Sequence, residues 1–142
     1  MTSRQSRFAV AVLVFSAAVL LTSTQSALAQ HCTPGTTVNV NLKYNAGQCQ
    51  QIIMVGGHPM SQDVVQVNVG YCVTWQPDTA NQSFDVQFPR GTTPFFEFGD
   101  PKGSPVSSGP GNGPVNTNYY YQSVTVNGQS CNNASSLGIV MR

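Results

Sequence analysis

Charge is what this sequence has least of. Asp, Glu, Lys and Arg together make up 8 % of the 142 residues, against roughly 25 % in ordinary soluble domains. So few charges leave no basic stripe for a nucleic-acid backbone or anionic lipid, and no acidic tail. Histidine is scarce too: His31 and His58 are the only two, so imidazole chemistry has one pair to draw on at most. No G-x-S-x-G segment occurs and no nucleophile motif flanks either histidine, which removes the common routes to a hydrolytic triad. Helical periodicity is missing after the N-terminal segment. Without a crossover helix, a parallel α/β fold is excluded.

The one long apolar run lies at the start. Arg4 and Arg7 precede Phe8 to Leu21 (FAVAVLVFSAAVLL), and Ala27-Leu28-Ala29 follows as a small-x-small cleavage pattern. The three parts together read as an export signal over residues 1–29, with an apolar stretch short of the roughly 20 residues of a membrane span. Residues 30–142 are then expected to form one periplasmic or secreted domain with no membrane span, holding four basic against five acidic side chains. All four cysteines (Cys32, Cys49, Cys72, Cys131) fall in that domain. An even count in an exported chain predicts two disulfides, for which three connectivities are open. Cys32–Cys49 and Cys72–Cys131 are the favoured pairs, the first bracketing one strand and the second tying mid-chain to the C-terminal strand.

What the chain does have is alternation of period two. Val38, Val40, Leu42 and Tyr44 point one way, with Asn39, Asn41 and Lys43 opposite, the pattern of a half-buried strand. Ile52 to Val55 is a short apolar run ending at Gly56-Gly57. Val65, Val67, Val69, Tyr71, Val73 and Trp75 alternate with polar Gln66, Asn68, Thr74 and Gln76, predicting one long strand or two sharing a bend at Gly70, odd-numbered side chains inward. PDTANQ (77–82) is turn chemistry. Phe84, Val86 and Phe88 form the next strand, and Phe95 to Phe98 a short aromatic one. The Gly/Pro-rich stretch 99–118 reads as a loop long enough to be a functional element. Tyr119 to Val126 returns to β before the turn pair Asn127-Gly128, and Leu137, Ile139 and Met141 mark a last strand. Six to eight short strands with one apolar face each predict an all-β, two-sheet β-sandwich.

Val65 to Phe88 resembles the middle of the cupredoxins, the small blue-copper proteins. The counterparts are Gly70, Val73-Thr74-Trp75, the polar turn Asp78 to Gln82, and Phe84-Asp85-Val86. Tyr119 to Val126 and Leu137-Gly138-Ile139-Val140 look like the family's closing strands, so the resemblance spans about half of residues 30–142 and implies a Greek-key sandwich. It also implies a missing type 1 copper site, which needs two imidazoles and a thiolate, usually with an axial Met. Phe84 stands where the first His belongs, no His follows His58, and Cys131 is expected in a disulfide. Copper is then no resident cofactor.

The remaining candidates are few. Met54, His58 and Met60 could bind soft Cu(I) if a single strand put them on one face. That is the alternative reading, a copper-handling protein. Cleavage that left His31 first would permit a histidine brace with His58. A carboxylate pair for glycoside hydrolysis would come from Asp63, Asp78, Asp85, Glu97 and Asp100; an enzyme with such a site is the third reading. Asn81-Gln-Ser and Asn133-Ala-Ser are formal glycosylation sequons. The leading expectation is a non-catalytic module that binds a protein or glycan partner through 99–118. Tyr119, Tyr120 and Tyr121 join it as surface candidates, since consecutive strand residues face opposite sides and at least one ring must be exposed.

Overall fold

The computed structural model describes Cys32, residues 35–91, Phe95 and residues 98–142. The expected signal at 1–29, His31, Phe96 and Glu97 lie outside the described residues, and so does the histidine-brace expectation. Twelve strands are described: β1 (Thr37–Asn45), β2 (Gln48–Val55), β3 (His58–Gln62), β4 (Val64–Val67), β5 (Cys72–Pro77), β6 (Phe84–Gln87), β7 (Phe98–Asp100), β8 (Val106–Pro110), β9 (Asn118–Tyr120), β10 (Ser123–Val126), β11 (Gln129–Ser130) and β12 (Gly138–Met141). One 3₁₀ turn, Ala134–Ser136, precedes β12. No described helix is long and apolar enough to cross a membrane.

The first layer has strand order β3-β2-β1-β5-β8; the others are β11-β10-β6-β7 and β4-β12-β9. The two smaller sheets run on into each other. Only Tyr121 and Gln122 separate β9 from β10, and their amides donate to Leu137 O (2.9 Å) and Gln87 O (2.7 Å). Together they make the second layer of an all-β sandwich. Most pairings are antiparallel, but β1 runs parallel to β5 and β12 parallel to β4.

Tight hairpins set the registers. Gly56-Gly57 joins β2 to β3 and Asn127-Gly128 joins β10 to β11, with positive φ at both central residues (58° and 84°; 51° and 73°). That is the type I′ geometry whose twist matches the flanking strands. Ala46-Gly47 makes the same turn between β1 and β2 (48° and 86°), although alanine is disfavoured in the left-handed region by about 1 kcal/mol. The pair closing a two-residue hairpin is hydrogen-bonded, so His58 and Met60 turn their backbone groups toward β2 while Pro59 and Ser61 face outward. Pro59 has no N–H to offer, which blunts this edge against further strand pairing.

Three expectations need amending. Val65 to Trp75 takes the two-strand form, turning at Gly70 (φ 84°). The strands do not simply share a bend, however: they lie in different layers, with the chain crossing over at 68–71. Val65 and Val67 face the core from the second layer and Val73 and Trp75 from the first, all 1 % exposed or less, whereas Val69 at the crossing is 47 % exposed. The parity survives because the core lies between the layers. Residues 99–118 are not one loop: they contain the end of β7, all of β8 and the start of β9, leaving 111–117 as the longest strand-free part.

The disulfides are Cys32–Cys72 and Cys49–Cys131, not the favoured pairs. Cys49 lies opposite Tyr44 in the β1–β2 register, one strand length, roughly 23 Å, from the start of β1. The segment entering β1 instead runs beside the start of β5, where Cys72 N donates to Thr36 O at 2.9 Å, so Cys32 meets Cys72. Cys49 points into the core and is held between the layers by Asn133, whose side chain accepts from Cys49 N (2.8 Å) and donates to Cys49 O (2.9 Å). Loops spanning 40 and 82 residues correspond to about 4 and about 4.5 kcal/mol in the chain-entropy view.

A buried polar chain crosses the apolar core. Trp75 Nε1 donates to Tyr121 OH (3.0 Å), which donates to Gln51 Oε1 (2.6 Å). Gln51 Nε2 donates to Asp63 O (2.8 Å) and Gly138 O (3.1 Å). Gln51 is fully buried, and every buried side-chain polar atom among the described residues has a partner. Around the chain, the Trp75 ring meets Phe88 and Phe95 edge-on, and Phe88 lies 4.9 Å from Tyr121. Burial pushes the Tyr121 phenol well above the ordinary tyrosine range, partly offset by the Trp75 hydrogen bond.

Tyr121→Phe removes the acceptor of Trp75 Nε1 and the donor to Gln51. Denaturant unfolding should show a loss of about 2–4 kcal/mol. The pH dependence has a fixed sign. The native phenol keeps its proton when the unfolded one, near its usual value of about 10, loses it. Stability is therefore full below pH 10 and falls above it by up to about 1.4 kcal/mol per pH unit. Thermal midpoints measured from pH 8 to 11.5 should decline in the parent protein and stay flatter in Tyr121→Phe.

Candidate functional site

The outward side of the β4-β12-β9 sheet collects a set of uncharged polar side chains. Pairing of Val140 with Gln66 and Asn118 puts those three in one row, and pairing of Gly138 with Val64 and Tyr120 puts those in the next. Beyond Met141 the pairing continues: Arg142 N donates to Val67 O (2.8 Å), and Val69 N to Arg142 O (2.9 Å). Arg142 thus lies alongside Asn68, and its guanidinium donates to Asn116 Oδ1 at 2.7 Å. Gln66, Asn68, Asn116, Asn118, Tyr120 and Arg142 are exposed, while Val65, Val67, Ile139 and Met141 fill the inward side. Strand alternation makes this face: Val65, Val67, Ile139 and Met141 inward put Gln66, Asn68 and Asn118 outward, while the central strand adds only Gly138 and Val140, the latter covered to 6 % exposure between Gln66 and Asn118.

Of the three tyrosine candidates, Tyr119 and Tyr121 are buried and Tyr120 is 42 % exposed. Asn118 Nδ2 donates to Tyr120 OH at 3.2 Å, and this tether leans the ring along its strand instead of out into solvent. Gly138 stands opposite it; a Cβ there would collide with Tyr119 O and come within 2.9 Å of the Tyr120 Cα. The strand-free part of 99–118 borders the same face, since Asn116 N donates to Met141 O (2.7 Å) and Val115 is 59 % exposed.

The soft-donor group is split by the hairpin. His58 pairs with Val55 and Met60 with Ile53, all on one side of the ladder, whereas Met54 pairs with Pro59 on the other. Met54 and Met60 are exposed, not core residues. The turn at Gly56-Gly57 reverses the chain, so the spacing expected for one strand does not hold. No group of three His, Cys, Asp or Glu among the described residues is placed to hold a metal ion.

Of the four described side-chain carboxylates, Asp63 and Asp78 stand apart, while Asp85 and Asp100 share one groove and both have structural work. Asp85 and Asp100 line a groove of about 370 Å³ beside β6 and β7. Asp85 accepts from Gln87 Nε2 (2.9 Å), and Asp100 Oδ1 from the amides of Lys102 (2.6 Å) and Ser104 (3.2 Å), closing the turn after β7. Asp63 sits between β3 and β4, and Asp78 follows β5. Of the residues compared above with copper ligands, Phe84 is buried in the core and the Cys131 sulfur is bonded to Cys49. Of the sequons, Asn133 has its amide engaged at Cys49, and Asn81 sits in the turn before β6 with φ 65°.

No family model, no curated protein and no solved structure matches the chain.

Sequence alternation marks Gln66 and Asn68 as outward polar residues, but of this face it singles out only Tyr120 as a binding candidate. The polar half of the alternation was the available signal, but which strands lie side by side is not written in it.

The split of the soft donors has a direct check. Competitive Cu(I) titration should give binding weaker than micromolar, unchanged in Met54→Ala. A tight site lost in both Met54→Ala and His58→Ala would mean the hairpin register is wrong.

Proposed function

We propose that residues 30–142 form an exported, non-catalytic, disulfide-bonded binding module of the cupredoxin-like, Greek-key type without a type 1 copper site. Residues 1–29 act as its signal, and the periplasm or the cell exterior is its location. The two disulfides fit an oxidising compartment, and the engagement of Phe84 and Cys131 in packing and cross-linking fits a scaffold freed from copper. The observation that carries the binding reading is the outward face of β4-β12-β9 with segment 111–117 beside it. An exposed aromatic ring is held there among amide side chains that can both donate and accept. The loop expected at 99–118 contributes through 111–117 only, because β8 is paired with β5 next to Cys72.

The test is capture from the native envelope or culture fluid by immobilised protein. Gln66→Glu with Asn118→Asp places two charges on the face without touching the core. The double variant should retain its thermal midpoint within a few degrees and lose capture. Equal capture by both proteins would move the working surface elsewhere.

A further inference from the structure

The occupant of this face can be read from its chemistry, an inference that rests on the binding role just proposed. The exposed rows carry a single charge, Arg142, already turned toward Asn116. One guanidinium on an otherwise uncharged face is too little positive charge to hold a nucleic-acid backbone or a polyanionic glycan, so the face suits neutral ligands better. It is also a poor protein hot spot. Such sites centre on apolar or aromatic anchors in desolvated pockets, whereas Tyr120 is 42 % exposed on an edge strand, with Gln66 and Asn118 one row along the sheet and Asn68 two rows along. Carboxamides spaced along strands present donors and acceptors in alternation, and that matches a ligand whose groups are hydroxyls. The ring, tethered to Asn118 at 3.2 Å, offers an apolar plane of fixed tilt with little side-chain freedom left to lose on binding.

We infer that the β4-β12-β9 face binds a neutral oligosaccharide, one sugar ring stacking its C–H side on Tyr120 and hydroxyls of neighbouring sugars bonding to Asn118, Gln66 and Asn68. The strand rows lie about 6.6 Å apart at every second residue, so the face takes an extended run of sugars more readily than a single one. Arg142 and Asn116 close the far end, and Val115 in the adjoining turn, 59 % exposed, supplies a second apolar contact.

Affinity gel electrophoresis of the oxidised protein tests this, with soluble glucan, mannan, galactan and chitin oligosaccharides as neutral probes and alginate as the acidic control. At least one neutral probe should retard the protein, insensitively to salt, and alginate should not. Tyr120→Ala should weaken retardation tenfold or more, Tyr120→Trp should keep it, and Gln66→Ala on the edge strand should weaken it several-fold with the fold intact. Retardation by no neutral probe, or equal retardation of the parent and Tyr120→Ala, overturns the glycan inference. If the face variants still lose capture of a protein from the envelope, the binding module stands and its partner is a protein. If both experiments are negative, the module reading falls as well.

Discussion

The chain from Trp75 through Tyr121 to Gln51 is the constraint on which the rest of the sandwich depends. An amide inside an apolar core costs several kcal/mol unless all its groups are paired. Here they are, by a phenol from the second layer and by the carbonyls of Asp63 and Gly138. Those two carbonyls stand where the chain crosses from β3 to β4 and where β12 begins, and Gly138 N also donates to Asp63 O. One side chain of the first layer therefore fixes where the parallel β4–β12 pair starts. A slip of either strand by one residue would break its bond to Gln51 and turn that strand's inward pair outward, Val65 and Val67 in β4 or Ile139 and Met141 in β12. The polar chain sets the register, and the valines set the depth.

A protein with so little charge must manage solubility and edges by other means. The outer surfaces rely on Asn, Gln, Ser and Thr, and the edge strands of the first layer carry prolines: Pro59 in β3, and Pro110 in β8, where the pairing with β5 also shifts register between Cys72 and Thr74. These features discourage strand addition, so Met54, Val55 and Met60 stay exposed without a free ladder beside them. The same economy shapes the face proposed for binding. With few ions available, it presents amides and one aromatic ring, and the ligand chemistry proposed for it is uncharged.

Much of this was legible in the residues. The alternation from Val38 to Tyr44, the inward valines at 65, 67 and 73, the Trp75 anchor, the Asn127-Gly128 turn and the all-β class all follow from period and turn chemistry. The Ala46-Gly47 hairpin was not, because alanine at positive φ is no turn signal; the position is held by its docking on Asn132, whose backbone N–H donates to Gly47 O (2.8 Å). Met54, His58 and Met60 misled for a related reason. Their spacing has meaning only if the strand runs straight through them, and two glycines turn it back.

By itself the sequence determined which side of each strand faces inward, since burying apolar area and solvating amides requires no knowledge of neighbours. Only the tertiary structure decided which strands are neighbours. The parallel placement of β1 beside β5 sent Cys32 to Cys72, and the stacking of the layers sent Cys49 to Cys131. The continuation of β9 into β10 buried Tyr121 while leaving Tyr120 in the light of solvent. Pairing between distant strands rests on backbone groups that every residue carries alike, and the residue alphabet therefore records the faces of a sheet far better than its order.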